Sequence, residues 1–341
     1  MEEIIVSDSG GRTSAYLLRL ILDNYAGANI RVVFANTGME RPETLEFIHQ
    51  CSTRWGIHIS YLEAVVNPIK GIATTYRKVD YETAYRPEYC WNPEYGKAQG
   101  YANPFYSERY AALHAKRPAE WGHPFEAVIA KYGIPNNSFP HCSRELKTQV
   151  IGAWIKAEYK DTPFRMALGI RADEAQREGA WWYPMIDWGI TKADVRRFWG
   201  EQPFDLQLKD YEGNCDLCWK KGHNKNWTLL EEYPILGLWW AEMERKYGAV
   251  TPNDAARRQT KKQREAVSPL FGDLRANASN KKKGPFFFNH NAISLPAMQA
   301  MADRGRFARA KDQDASQVCA CNVEFESLAQ DLQISAGPSC S

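Results

Sequence analysis

The sequence predicts an α/β fold: a doubly wound, five-stranded parallel sheet with helices on both faces. Three observations predict it. Short apolar runs alternate with helix-period segments from Ile4 onward. Polar turns follow the early runs. A chain of 341 residues, 44% of them hydrophobic, can also bury a sizeable core. In such a sheet the crossovers are right-handed, and ligands bind at the carboxyl ends of the strands.

Taken in order, Ile4-Ile5-Val6 is the first strand. It breaks at Ser7-Asp8-Ser9-Gly10-Gly11-Arg12, and a helix runs from Thr13 to Asn24. Adjacent Gly10 and Gly11 let the backbone approach an anion, and the helix start offers N–H groups, so this turn is a phosphate cradle. Ser9 and Ser14 add hydroxyl donors; an ordinary strand-to-helix connection with a Ser cap is the alternative. Asn29 to Ala35 is the second strand, and Asn36-Thr37-Gly38-Met39-Glu40-Arg41 leads into a helix that Pro42 opens and Trp55 ends. Ile57 to Leu62 gives the third strand. Neither G-x-G-x-x-G nor G-x-x-x-x-G-K-[ST] is present.

Residues 67–140 read as an insertion rich in Tyr, Trp, Pro and Asn. Its rings suit stacking on a nucleic-acid base or, alternatively, a packed cluster covering the edge of the sheet. A helix at Pro124 to Tyr132 and a turn at Gly133 to Asn137 precede His141-Cys142-Ser143-Arg144-Glu145-Leu146-Lys147, which opens a helix to about Tyr159. A cysteine at such a helix start feels the positive end of the dipole, which favours the thiolate. Pro163 to Ile170 is the fourth strand and delivers Gly169-Ile170-Arg171-Ala172-Asp173-Glu174 and Arg177, a set suited to an anionic phosphate or sulfate group. Tyr183 to Trp188 reads as the fifth strand, and Thr191 caps a helix from Lys192 to Gly200. Gly213-Asn214-Cys215-Asp216-Leu217-Cys218 is the second strong motif.

The formal charge of +2 excludes nothing by itself. Between 251 and 283, however, nine Lys and Arg face three acids, a local charge of +6 suited to a phosphate backbone or, alternatively, to a solvated linker. There is no apolar run of about 18 residues, and a strand beginning by Ile4 leaves no room for a signal peptide. The expectation is a cytoplasmic protein whose eight cysteines are reduced, so that the C-x-x-C pair marks a metal or redox centre.

Ser9-Gly10-Gly11-Arg12-Thr13-Ser14, Asn36 to Arg41, Cys142 to Lys147, Gly169 to Glu174 and Gly213 to Cys218 occur in this order. Together they resemble the phosphoadenosine phosphosulfate (PAPS) reductase family, particularly its phage and prophage members, within the adenine nucleotide alpha hydrolase or N-type ATP pyrophosphatase superfamily. The resemblance covers roughly residues 3–222 and implies an adenine nucleotide across the carboxyl edge of the sheet. It implies that the first loop (Ser7, Ser9, Gly10, Gly11, Arg12, Thr13, Ser14) holds phosphates and that Asn36, Thr37, Gly38 and Glu40 lie beside the adenosine. It implies further that Arg171 with Arg177 faces the distal anionic group and that Gly169 belongs to the nucleotide site. The family's C-terminal E-C-G-[LI]-H segment is missing, and Thr13 stands where ATP-splitting relatives carry Asp.

Relatives of the family hold a [4Fe–4S] cluster with a Cys-Cys pair and a distant C-x-x-C. Cys142, Cys215 and Cys218 match three of those positions and His141 replaces the fourth; the fourth ligand is Cys321, the favoured choice, or Cys319 or His141, or else one iron stays open to hydrosulfide, and zinc is the alternative metal. The expected chemistry is ATP pyrophosphatase-type sulfur transfer, with Asp8, Arg12, Arg171 and Arg177 as candidate catalytic residues and Asp8 helping to hold Mg²⁺. Two alternatives stay open. One is reduction of PAPS or APS to sulfite by a tail cysteine (Cys319, Cys321 or Cys340); the other is a nucleotide- or nucleic-acid-binding relative without catalysis. The expected organisation is a nucleotide-binding domain over 1–248 and a basic, Cys-bearing extension over 249–341. The extension would contact a tRNA or DNA substrate, and the assembly would be a homodimer with no membrane association.

Overall fold

The computed structural model describes residues 2–69, 71–136, 139–160 and 162–247. Strand β1 (Glu3–Asp8) leads through a glycine turn to α1 (Arg12–Asn24), β2 (Asn29–Asn36), α2 (Pro42–Trp55) and β3 (Ile59–Val65). β4 (Thr75–Val79), α3 (Glu88–Trp91), α4 (Glu108–His114) and α5 (Pro124–Tyr132) follow. A continuous helical rod then joins α6 (His141–Ser143), a π-helical turn at Arg144–Thr148 and α7 (Gln149–Glu158). β5 (Arg165–Leu168), α8 (Pro184–Asp187), α9 (Lys192–Gly200), α10 (His223–Glu232) and α11 (Leu236–Tyr247) complete the described chain.

The five strands lie in the order β4-β3-β2-β1-β5, and all pairs are parallel except β3–β4. β1 is an interior strand between β2 and β5, and Ile4, Ile5 and Val6 are buried on both of its faces, the pattern of a strand covered by helices on each side. Ile4 and Val6 join α1 and α2 residues (Leu17, Leu18, Ile21, Leu45, Phe47) in one core. Ile5 points to the other, with Val128 and Ile129 of α5, Ile151 of α7 and Trp240 of α11. Each such buried aliphatic side chain contributes roughly 1.5–3 kcal/mol.

The fifth strand is not where the sequence suggests. Tyr183 to Trp188 forms α8, with Pro184 in its first turn, and extends the sheet only by a single bridge from Trp182 to Ala167. β4, from within the insertion, is the fifth strand and runs antiparallel to β3, with Tyr61 opposite Val79. The insertion's rings are packed: Trp91 stacks on His114 at 3.7 Å, Tyr85 on His123 at 4.3 Å, and Tyr89 lies 5.1 Å from Phe105. This is the covering-cluster alternative, and it engages rings that base stacking would need free. Thr191 caps α9 as expected, in a reciprocal capping box with Asp194. Residues 249–341, with the basic stretch, Cys319, Cys321 and Cys340, lie outside the described residues.

Candidate active site

The first loop takes its shape from Gly10, whose φ of +76° is natural only to glycine. A Cβ there would lie 2.5 Å from Thr44 Cγ2. Asp8 organises the turn. Its Oδ1 accepts from the Gly10 N–H at 2.8 Å and from the Ser14 hydroxyl at 2.6 Å, while Ser14 Oγ accepts from the Ser9 N–H at 3.1 Å. Burial pushes the Asp8 carboxyl pKa up, and its Oδ2 is buried without a hydrogen-bond partner. The Ser9 and Ser14 hydroxyls, expected to bind phosphate, are 3.0 Å from each other and hold the loop closed. Ser7 sits within β1, its backbone in register with Val33 and Leu168. Gly11, Arg12 and Thr13 are the loop residues on the wall of an adjoining pocket.

Arg12 reaches away from the turn. Its guanidinium grips Asp205 bidentately at 2.7 and 2.8 Å and donates to the Leu206 and Leu208 carbonyls, so it clamps segment 205–208 against α1. Arg171 reaches toward the turn, donating to Thr13 Oγ1 at 3.3 Å while pairing with Asp173 and Glu174 at 2.9 and 3.0 Å. Arg177 is held by Glu174 at 2.6 Å and steadies that carboxylate for Arg171; it does not line the pocket. Gly169 serves packing, since a Cβ there would lie 3.1 Å from Ser14 Cα.

The second loop is bonded to itself. Asn36, fully buried, donates to Glu63 at 2.8 Å and to the Tyr85 carbonyl at 3.0 Å. Glu40 Oε2 accepts from the Thr37 N–H, the Thr37 hydroxyl and the Gly38 N–H at 2.9, 2.8 and 3.1 Å. Burial pushes the Glu40 pKa up, opposed by the Lys147 ammonium. These side chains fix the shape of the turn, and Thr37 lines a second cavity.

The cysteine turn docks across both loops. Asn214 donates to the Ser9 carbonyl at 2.8 Å, and its own carbonyl accepts from the Arg41 N–H at 2.7 Å. Cys215 bridges to Glu40, and the Asp216 N–H donates to the Met39 carbonyl at 3.1 Å. The Lys221 ammonium gathers the carbonyls of Glu212, Cys215 and Asp216 beneath the turn. From the other side, the Trp219 indole N–H lies 3.5 Å from Cys142 Sγ, and the Lys220 ammonium donates to Ser143 Oγ at 3.2 Å.

Two cavities result. The first is lined by Cys142, Cys215 and Cys218 with Thr37, Lys147 and Lys220, and spans about 430 Å³, part of it open to solvent. The three predicted metal-ligand cysteines thus share one cavity. As they stand, however, no group of three or more His, Cys, Asp and Glu side chains among the described residues could hold a metal ion, and the fourth expected ligand, Cys321, lies outside those residues. The second cavity, about 1040 Å³, opens between the first loop, α9 and segment 206–225. Lys192, Arg196, Lys209, Lys220, Lys221 and Lys225 line it with Arg12 and Arg171, against Asp210 as the one lining acid. Most of these cations escape a reading of the sequence that seeks charge runs. They are scattered between 192 and 225, and their signal is the Lys192/Arg196 spacing of four on one helix face.

An open α/β sheet whose carboxyl edge carries a glycine-serine turn beside a cationic pocket defines a nucleotide-using enzyme class. Residues 3–90 match the family model of the phosphoadenosine phosphosulfate reductase domain. The chain is also similar to the uncharacterized nin region protein ORF290 of Escherichia phage lambda. The two are 29% identical over 226 residues, covering 65% of this chain and 67% of that protein. No solved structure matches the chain. No helix among the described residues is long and apolar enough to cross a membrane.

Proposed function

We propose that the chain is an ATP pyrophosphatase-type sulfur-transfer enzyme. The observation that carries this reading is a phosphate-type loop and a cavity of three thiols lying side by side, with Lys220 on the wall of both. ATP binds with its phosphates at the Gly11 N–H and the cations of the wider pocket. An acceptor oxygen attacks the α phosphorus, the bond to the β-phosphate oxygen breaks, and pyrophosphate leaves. A sulfur nucleophile then displaces AMP from the adenylated acceptor. The loop amides, Lys220 and Arg171 stabilise the charge that develops.

Asp8, with its unpartnered Oδ2, is the carboxylate that would hold a Mg²⁺ ion, which would supply charge neutralisation for the leaving pyrophosphate. A [4Fe–4S] cluster, or zinc, would take Cys142, Cys215 and Cys218 with Cys321, and would supply sulfide binding or activation. A nucleic-acid acceptor reached by the basic residues of 251–283, and assembly as a homodimer, belong to the same proposal.

The test is incubation with α-labelled ATP, Mg²⁺, sulfide and, as acceptor, bulk tRNA or DNA in separate arms. AMP with pyrophosphate supports the reading, and ADP overturns it. Reduction of PAPS to sulfite is the second reading, favoured by the matched family; sulfite formed from PAPS and a thiol reductant, and lost when Cys319, Cys321 and Cys340 become Ser, would establish it in place of the first. Anaerobic spectra with iron and sulfide analysis test the cluster: broad visible absorption supports it, and a colourless zinc protein removes it.

A further inference from the structure

Asn214 stands where the two cavities are joined. Its side chain belongs to the wall of the cationic pocket, a Cβ on Gly11 would lie 3.3 Å from its Nδ2, and its amide donates to the Ser9 carbonyl inside the phosphate-type loop at 2.8 Å. The next residue in the chain is Cys215, on the wall of the thiol cavity. Between them the backbone is fastened rigidly. The Asn214 carbonyl takes the Arg41 N–H at 2.7 Å, Cys215 pairs with Glu40, and Lys221 holds the Cys215 and Asp216 carbonyls at 2.7 Å each. A load on the Ser9–Gly11 loop therefore reaches Cys215 through one side-chain amide and one peptide unit. On the far side of the same cavity, Cys142 is tied to the turn through Trp219.

We infer that Asn214 is a positioning residue that couples occupancy of the nucleotide pocket to the geometry and accessibility of the Cys215 thiol. A nucleotide whose phosphates take up the Gly11 N–H fixes the Ser9–Gly11 loop and with it the Ser9 carbonyl. That carbonyl fixes the Asn214 amide, which fixes the turn carrying Cys215. The thiols are then held for sulfur chemistry only while nucleotide is bound. Coupling of this kind is a difference in free energy between the two occupancy states and needs no large movement.

This inference rests on nucleotide binding as proposed above, and the experiment separates the two. The full chain, reduced and under anaerobic conditions, is alkylated with iodoacetamide with and without saturating ATP and Mg²⁺. Modification at each cysteine is followed by peptide mass spectrometry, ATP affinity is measured alongside, and buried Cys51 and Cys90 serve as internal references. In the wild-type chain ATP slows alkylation of Cys215 about fivefold or more. In Asn214→Ala, and in Asn214→Asp, which keeps the shape but sets an oxygen against the Ser9 carbonyl, ATP at its own saturating level leaves the Cys215 rate unchanged. Two folded variants guard against loss of one, and Asn214→Ser, which retains a donor, restores part of the effect. Wild-type chain that binds ATP with no change at Cys215, or variants that keep the full ATP effect, overturns the coupling and leaves the nucleotide reading standing. Absence of ATP binding removes both.

Discussion

The two cavities on either side of Lys220 differ in size, lining and origin. The cationic pocket is wide and is framed by groups of both sheet halves: the β1–α1 turn, α9 and segment 206–225. The thiol cavity is less than half as large and is walled by Met39, Phe125, Leu217, Trp219 and Trp240 around its three sulfurs. A wet, charged pocket suits a polyphosphate, whereas an apolar one excludes water from a sulfur nucleophile. On the proposed reading, phosphate and sulfur are handled in different surroundings; among the described residues Lys220 lines both cavities, and Asn214 in the first adjoins Cys215 in the second.

The comparison can be broken most severely from beneath the second loop. Arg117 pairs with Glu63 at 2.7 Å, both buried, and Glu63 in turn holds Asn36. Arg117→Ala strands a buried carboxylate and costs about 3–5 kcal/mol in a urea melt, while the Arg117→Met, Glu63→Gln pair recovers most of that.

His123 gives a pH handle on the same wall. It stacks between Tyr85 and Trp239 at 4.3 and 4.7 Å, its Nδ1 accepts from the Phe125 N–H, and burial pushes its pKa down to about 3. The unfolded chain takes up a proton below about 6.5 and the folded chain does not. Stability is therefore full above pH 6.5 and is lost as the pH falls toward 3, by at most roughly 4 kcal/mol. His123→Asn, which keeps a cap acceptor, flattens this acid limb in melts between pH 4 and 7.

Gly10→Ala forces a side chain into Thr44 at a positive φ. It costs about 2 kcal/mol and abolishes nucleotide binding, while the iodoacetamide reactivity of Cys142 stays as it was. Salt sharpens the contrast: ATP affinity falls several-fold between about 0.05 and 0.5 M KCl, and thiol alkylation does not follow. The smallest effect belongs to Trp219→Phe. It removes one N–H from Cys142 Sγ, worth about 1 kcal/mol or less, and slows Cys142 alkylation about twofold with ATP binding intact.

Much of this was legible from the sequence. The Ile4-Ile5-Val6 run, the Gly10-Gly11 break and Pro42 each declare a local conformation, and strand ends set at helix-length intervals declare a parallel sheet. Side-chain assignments within the motifs were less legible. Ser9, Ser14, Asn36 and Glu40 are polar residues at strand ends, which is the signature of ligand contact and equally of a bonded turn, and their side chains hydrogen-bond within the fold. Arg12 and Arg177 likewise have acids waiting at Asp205 and Glu174. The fifth strand was misread because Tyr183-Pro184-Met185-Ile186 has strand-like composition, whereas the proline ring fixes a helical first turn.

By itself, then, the sequence determined the α/β alternation, the two polar loops at one sheet edge and the presence of a C-x-x-C turn, because these depend on hydrophobic period and on local backbone preference. Only the tertiary structure decided that β4 closes the sheet, that scattered cations from 192–225 form one wall, and that Asn214 and Cys215 lie across loops some two hundred residues earlier in the chain. Contacts of that sequence separation leave no periodic trace. They are fixed by which buried faces fit together once the core has formed, and the polar segments at the edge meet where that packing leaves them.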